Sequence, residues 1–183
     1  MSNCIICGAA LPPATRAIAP RYCSGRCRQK AYRMRTKNPP SSMRSERRWV
    51  RADGKRPIMP NGRPASSTDP DTWSDYSQVL QGAGDGYGIM LGDGLACIDL
   101  DHCLHDGNII TDEAREVVHK AAPYCIYAEI SCSGTGLHIF VNATGRSFRR
   151  PGMEFYTHSR FIRMTGHTYN LQRVQSVPNN LSA

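Results

Sequence analysis

Residues Tyr87–Cys103 read YGIMLGDGLACIDLDHC, and how this stretch is divided decides the fold. Two apolar runs, YGIML (87–91) and LACIDL (95–100), flank Gly92-Asp93-Gly94, a spacing that predicts a β-hairpin turning at the glycines. The second run ends by placing Asp99 and Asp101 two residues apart. Side chains alternate along a strand, so both carboxylates should emerge on one face while Leu100 points into the core. Like charges this close repel, and a divalent cation between them is the usual resolution. The competing reading is a strand running out into a polar turn, where aspartate is also common.

Working outward, the pattern stays rich in strands. CIYAEIS (125–131), LHIFV (137–141), MEFYT (153–157) and RFIRMT (160–165) are short apolar runs bounded by turn residues. DEAREVVHKAA (112–122) is a short helix, acidic at its start and basic later, in keeping with the helix dipole. Upstream, DPDTWSDYSQVL (69–80) has the acidic first turn of a helix start, whereas residues 55–73, with four prolines, read as a long ordered loop. The expected fold class is α+β: a mainly antiparallel sheet flanked by helices, with a small N-terminal metal-binding module.

The chain has 183 residues, enough for one sizeable core and an appendage. Its formal charge of +8 is unevenly placed. Residues 1–51 carry twelve Lys or Arg against the single acid Glu46, a net of +11, while the remainder carries eleven against fourteen, a net of −3. Such a block favours contact with phosphate, although a merely solvated basic surface has the same composition. No apolar run of eighteen residues and no basic, apolar leader is present, so a cytoplasmic protein without a membrane partner is expected.

Cysteine spacing divides the chain further. Cys4-x-x-Cys7 and Cys23-x-x-x-Cys27, fifteen residues apart, are two close pairs of the kind that supply four thiolates to one tetrahedral zinc. A segment this short depends on the metal to fold. The stretch RYCSGRCRQKAYRMR (21–35) resembles the second knuckle and following helix of treble-clef-like zinc fingers, with Cys27 opening a helix on which Arg28, Lys30, Arg33 and Arg35 surround Tyr32. Cations interleaved with an aromatic suit nucleic acid; the alternative is a basic helix facing solvent or an acidic protein. The organisation read from the sequence is a zinc module over 1–35, a Pro- and Ser-rich linker over 36–48 and a catalytic domain over 49–183. Cys97, Cys103, Cys125 and Cys132 lack pair spacing and are expected in the core.

Two further stretches join the aspartates. SCSGTGLHIFV (131–141) sets Ser133, Gly134, Thr135 and Gly136 before a strand carrying His138, where turn amides and an imidazole can hold phosphate oxygens. An ordinary turn and a core histidine are the alternative. In GMEFYTHSRFIRMTGH (152–167), Glu154 lies on an apolar strand and needs a partner, either a metal or Arg160 or Arg163 across a tight turn.

This order of elements resembles the archaeo-eukaryotic primase superfamily over about residues 49–170, most closely the primase-polymerase domains of phages and plasmids. The resemblance implies that Asp99, Asp101 and Glu154 hold one or two Mg2+ or Mn2+ ions. It also implies that Ser133, Gly134, Gly136, His138, Arg160 and Arg163 surround the nucleotide triphosphate. The small-x-His motif of that group often begins with serine, and Gly136 stands there instead. The implied activity is primer synthesis on single-stranded DNA from NTPs or dNTPs. The sequence contains no G-x-x-x-x-G-K-[ST], so a separate replicative helicase is expected as a partner. Two other readings use the same residues: a catalytically silent zinc-finger DNA-binding scaffold and a metal-dependent nuclease.

Overall fold

The computed structural model describes residues 4, 7–11, 20, 22–29, 38–105 and 108–171. The chain divides into two compact units, Met1–Asn38 and Pro39–Ala183. Within the first, residues 25–29 are helical, and the Ser24 hydroxyl accepts a hydrogen bond from the Cys27 amide at 3.2 Å.

The larger unit is built on two antiparallel sheets. The first contains β1 (Trp49–Asp53), β2 (Arg56–Ile58), β3 (Gly86–Met90) and β11 (Phe161–Met164) in the order β11-β3-β1-β2. The second contains β4 (Leu95–Leu100), β7 (Cys125–Ile130), β8 (Leu137–Asn142), β9 (Phe148–Arg150) and β10 (Met153–Tyr156) in the order β7-β8-β4-β10-β9. A short β5–β6 pair (Leu104–His105 with Asn108–Ile109) stands apart. Helix α1 covers Ser41–Arg44 and α2 covers Asp112–Ala121.

Alternation along the strands of the second sheet creates two different faces. Cys97, Phe140, Tyr127 and Tyr156 pack with Trp49, Ile89 and Ile162 of the first sheet, forming a core between the sheets. Ala96, Leu100, Ile139 and Ala128 point the other way and pack with Ala114, Val118 and Ala121 of α2. Thr111 caps α2 by accepting from the Ala114 amide, and Asp112 and Glu113 occupy its first turn. The outer face of the first sheet is closed by Val50, Met90 and Trp73, which pack together.

The structure corrects several sequence expectations. YGIML and LACIDL do not form a hairpin: β3 pairs with β1 and β11, while β4 pairs with β8 and β10. At Gly92–Gly94 the chain passes from one sheet to the other, with only a bridge between Gly92 and Leu95. The same happens at Thr157–Ser159, between β10 and β11, so Glu154 does not face Arg163 across a hairpin. The two crossings are neighbours, since the Leu91 amide donates to the Arg160 carbonyl at 2.9 Å. Arg48 braces the first crossing by donating to the carbonyls of Met90 and Gly92 and to Asp93.

Residues 69–80 form two 3-10 turns, Pro70–Thr72 and Gln78–Leu80, rather than a continuous helix. Extended backbone between them at Trp73 lets Trp73 and Tyr76 reach separate cores. The 55–73 stretch is ordered, as expected, but includes β2. The expected linker over 36–48 is structured from Pro39 onward, with Met43 of α1 only 2% exposed in the inter-sheet core. Cys97 and Cys103 are buried, Cys125 is half-buried, and Cys132 is exposed rather than in the core. No helix among the described residues is long and apolar enough to cross a membrane.

Candidate active site

Strand register assembles the site. Glu129 of β7 lies opposite His138 of β8, His138 opposite Asp99 of β4, Asp99 opposite Glu154 of β10, and Glu154 opposite Arg149 of β9. Residues directly opposite one another share a face, so these five side chains form one row across the whole sheet. It is the face turned toward the first sheet, because Cys97, Phe140 and Tyr156 share it.

Asp99 is half-buried at the centre of the row. Burial pushes its carboxyl above the usual aspartate range, His138 and Arg160 oppose that shift, and the charges of Asp101 and Glu154 add to it. The His138 Nε2 lies 3.8 Å from an Asp99 oxygen. Asp101 follows the last residue of β4 and is exposed; its amide is fixed by donating to the Gly152 carbonyl at 3.0 Å. Asp101 therefore stands at the strand end, where it also borders an apolar groove on the α2 side.

Glu154 is ringed by cations and a phenol. Arg149 Nε lies 3.2 Å from one carboxylate oxygen, Arg160 lies 4.0 Å from the other, and the Tyr156 hydroxyl donates to it. The Arg160 guanidinium stacks over the Tyr156 ring, 4.4 Å from its centroid. Arg163, expected beside it, instead donates to the Gly54 carbonyl and pairs with Asp85 at 3.0 Å. That contact holds the exposed Asp85 carboxyl below its ordinary range.

The Gly-rich turn is locally determined. Gly134 has φ +78°, which glycine adopts without strain, whereas Gly136 is needed for space: a Cβ there would lie 2.6 Å from the Leu100 carbonyl oxygen. Hydrogen bonds run from Ser131 through Ser133 and Thr135 to His102, an exposed line of hydroxyls beside the row.

Sequence reasoning missed Glu129 and Arg149. Glu129 is fully buried, and its carboxylate accepts from the amides of Thr165 and Gly166 at 3.0 and 2.9 Å. It also lies 3.2 Å from His138 Nδ1 and 3.4 Å from the Tyr127 hydroxyl. The usable signal was an acid inside an apolar strand, the same one that singled out Glu154.

Asp99, Asp101 and Glu154 are an all-oxygen donor set, the ligand type that fits a hard divalent cation. They are not gathered into a single coordination sphere. Among the described residues, the group of potential ligands drawn within 4.8 Å of one another is Cys4, Cys7, Cys23 and Cys27. Its sulfur separations of 3.4, 3.6 and 3.6 Å are close to the roughly 3.8 Å edge of a tetrahedral zinc–thiolate site. Hydrogen bonding to Cys7 and then Cys27 pushes the Cys23 thiol up to about 12. Arg28 is exposed, while Lys30, Tyr32, Arg33 and Arg35 lie outside the described residues.

Residues 11–173 match the family model described as "Bifunctional DNA primase/polymerase, N-terminal". Over 134 residues the chain is 32% identical to the "DNA Primase-polymerase" of Nitratiruptor phage NrS-1. That alignment takes in 64% of this chain and 18% of the phage protein, so the chain spans less than a fifth of its relative's length.

Proposed function

The chain belongs to the bifunctional DNA primase/polymerase N-terminal family, and from that premise we propose that it carries out template-directed nucleotidyl transfer, making primers on single-stranded DNA from NTPs or dNTPs. The observation that carries this reading is the register that lines up His138, Asp99 and Glu154 on adjacent strands of one face.

Asp99, Asp101 and Glu154 would hold Mg2+ or Mn2+, whose chemistry is activation of the attacking hydroxyl and stabilisation of the leaving pyrophosphate. His138, with Arg160 beside Glu154, grips the triphosphate and offsets charge that develops on it. Ser133, Gly134 and Gly136 shape the turn that leads His138 into the row. Arg163, held by Asp85 and the Gly54 carbonyl, would have to leave these partners to reach the triphosphate. The four-cysteine cluster would take one structural zinc, and the basic N-terminal block, Arg28, Lys30, Tyr32, Arg33 and Arg35 included, would bind template phosphates. The setting proposed is phage or plasmid replication in the cytoplasm of a bacterial host, with a separate helicase opening the duplex.

A nuclease would need the same carboxylates, and a silent scaffold would need none of their chemistry. One assay separates the three: labelled nucleotides and end-labelled single-stranded DNA, each with Mg2+ or Mn2+. Template-dependent incorporation is expected. Degradation without incorporation would favour the nuclease, and neither activity would favour the scaffold.

A further inference from the structure

Resting on the reading of His138 as a nucleotide-binding residue, we infer that Glu129 is its positioning residue, holding the ring so that Nε2 is the nitrogen that meets the nucleotide. Glu129 is 0% exposed, so it touches neither substrate nor solvent. Its oxygens are already occupied: Oε1 by the Thr165 amide and His138 Nδ1, Oε2 by the Gly166 amide and the Tyr127 hydroxyl. A carboxylate with this many donors has no capacity left for a metal or for proton transfer. What it does is orient.

An ionised carboxylate only accepts hydrogen bonds, so the Nδ1 that faces Glu129 must carry its proton. Nε2 is then the free nitrogen, on the Asp99 side and 3.8 Å from the carboxylate, and it can donate to a phosphate oxygen when it too carries a proton. Carboxylates that fix the tautomer and angle of a working imidazole act in this way at many sites. The arrangement also has reach. Thr165 and Gly166 directly follow β11 of the first sheet, whereas His138 belongs to the second. One buried carboxylate therefore ties the ring's angle to the packing of the two sheets.

The test uses the full chain. Histidine-15N NMR of the wild-type protein, with and without Mg2+, should show His138 Nδ1 protonated; an unprotonated Nδ1 would overturn the proposal, and this measurement needs no variant to fold. Affinity for Mg2+–ATP and Mg2+–dATP is then measured for Glu129→Gln, His138→Ala and the double variant. Glu129→Gln should weaken binding about tenfold, the scale of a hydrogen bond to a charged group. His138→Ala should weaken it at least as much, and the double variant no more than His138→Ala alone. A folded Glu129→Gln with wild-type affinity, or losses that multiply in the double variant, would overturn the role of Glu129. A wild type that binds neither nucleotide would instead overturn the primase reading, while the NMR result still reports the Glu129–His138 bond.

Discussion

Asp99 sits where burial and neighbouring acids disfavour its charge, and this gives a signed expectation for stability. Because its pKa is raised in the folded state, the fold is favoured while Asp99 is protonated and loses that advantage as pH rises through the raised value. Asp99→Asn removes the penalty. In metal-free buffer the variant should melt like the wild type at acid pH and be more stable near neutrality, by about 0.5–2 kcal/mol. Thermal melts across pH 3–8 check this, and a variant less stable at pH 7 would count against it. Mg2+ or Mn2+ should raise the melting temperature of the wild type but not of Asp99→Asn. Asp101→Asn and Glu154→Gln should each cut primer synthesis by about 100-fold or more with the fold intact, since each removes a charge that a hard cation requires. His138→Ala should instead raise the nucleotide concentration needed. Asp99, His138 and Glu154, which strand register brings into one row, could be singled out from the sequence because their residue types, order and spacing are local. Glu129 carries the same signal of an acid inside an apolar strand, but its role was not readable, because its donors come from Tyr127, His138 and the Thr165–Gly166 backbone, brought together only by tertiary packing.

At the scale of elements, β4, β7, β8, β10 and α2 could be read from periodicity, and their observed limits differ from the expected ones by a residue or so, whereas the edge strand β9 (Phe148–Arg150) was not read. What could not be read was which strands pair. Gly92-Asp93-Gly94 serves a hairpin and a change of sheet equally well, and the choice lies with β1 and β11, far off in sequence. β1 escaped notice because Arg51 interrupts its apolar run, yet that side chain is buried and donates to the carbonyls of Val79, Gly82, Ala83 and Gly84. The glycines of β3 likewise make sense only in the sheet. A Cβ on Gly88 would lie 2.3 Å from both the Ile162 carbonyl oxygen and the Phe161 ring of β11. Gly88→Ala should therefore force β3 and β11 apart and destabilise the protein by about 1–3 kcal/mol, measurable by urea unfolding. Gly145→Ala, where nothing lies within 4 Å of the added carbon, tests backbone conformation alone, because its φ is +115°.

For the whole molecule, the two units lead to separable expectations. Metal analysis should find about one zinc per chain, and Cys23→Ser should abolish it without lowering the melting temperature of the Pro39–Ala183 unit. Stoichiometric zinc retained in that variant would contradict the four-cysteine site. Removing residues 1–38 should weaken binding to single-stranded DNA and flatten its salt dependence, by about 0.7 in the log–log slope for each phosphate that is no longer neutralised. An unchanged slope would place the template on the larger unit instead. The row of side chains across the second sheet, finally, restricts how a chain like this one can change over generations. Inserting a single residue within β4, β8 or β10 would turn that strand's functional side chain toward α2 and its greasy neighbours toward the first sheet. Substitutions there can be tried one at a time, but changes in length cannot. Lineages descending from this fold can lengthen or shorten only the connections between strands, so novelty in substrate or partner has to enter through the loops.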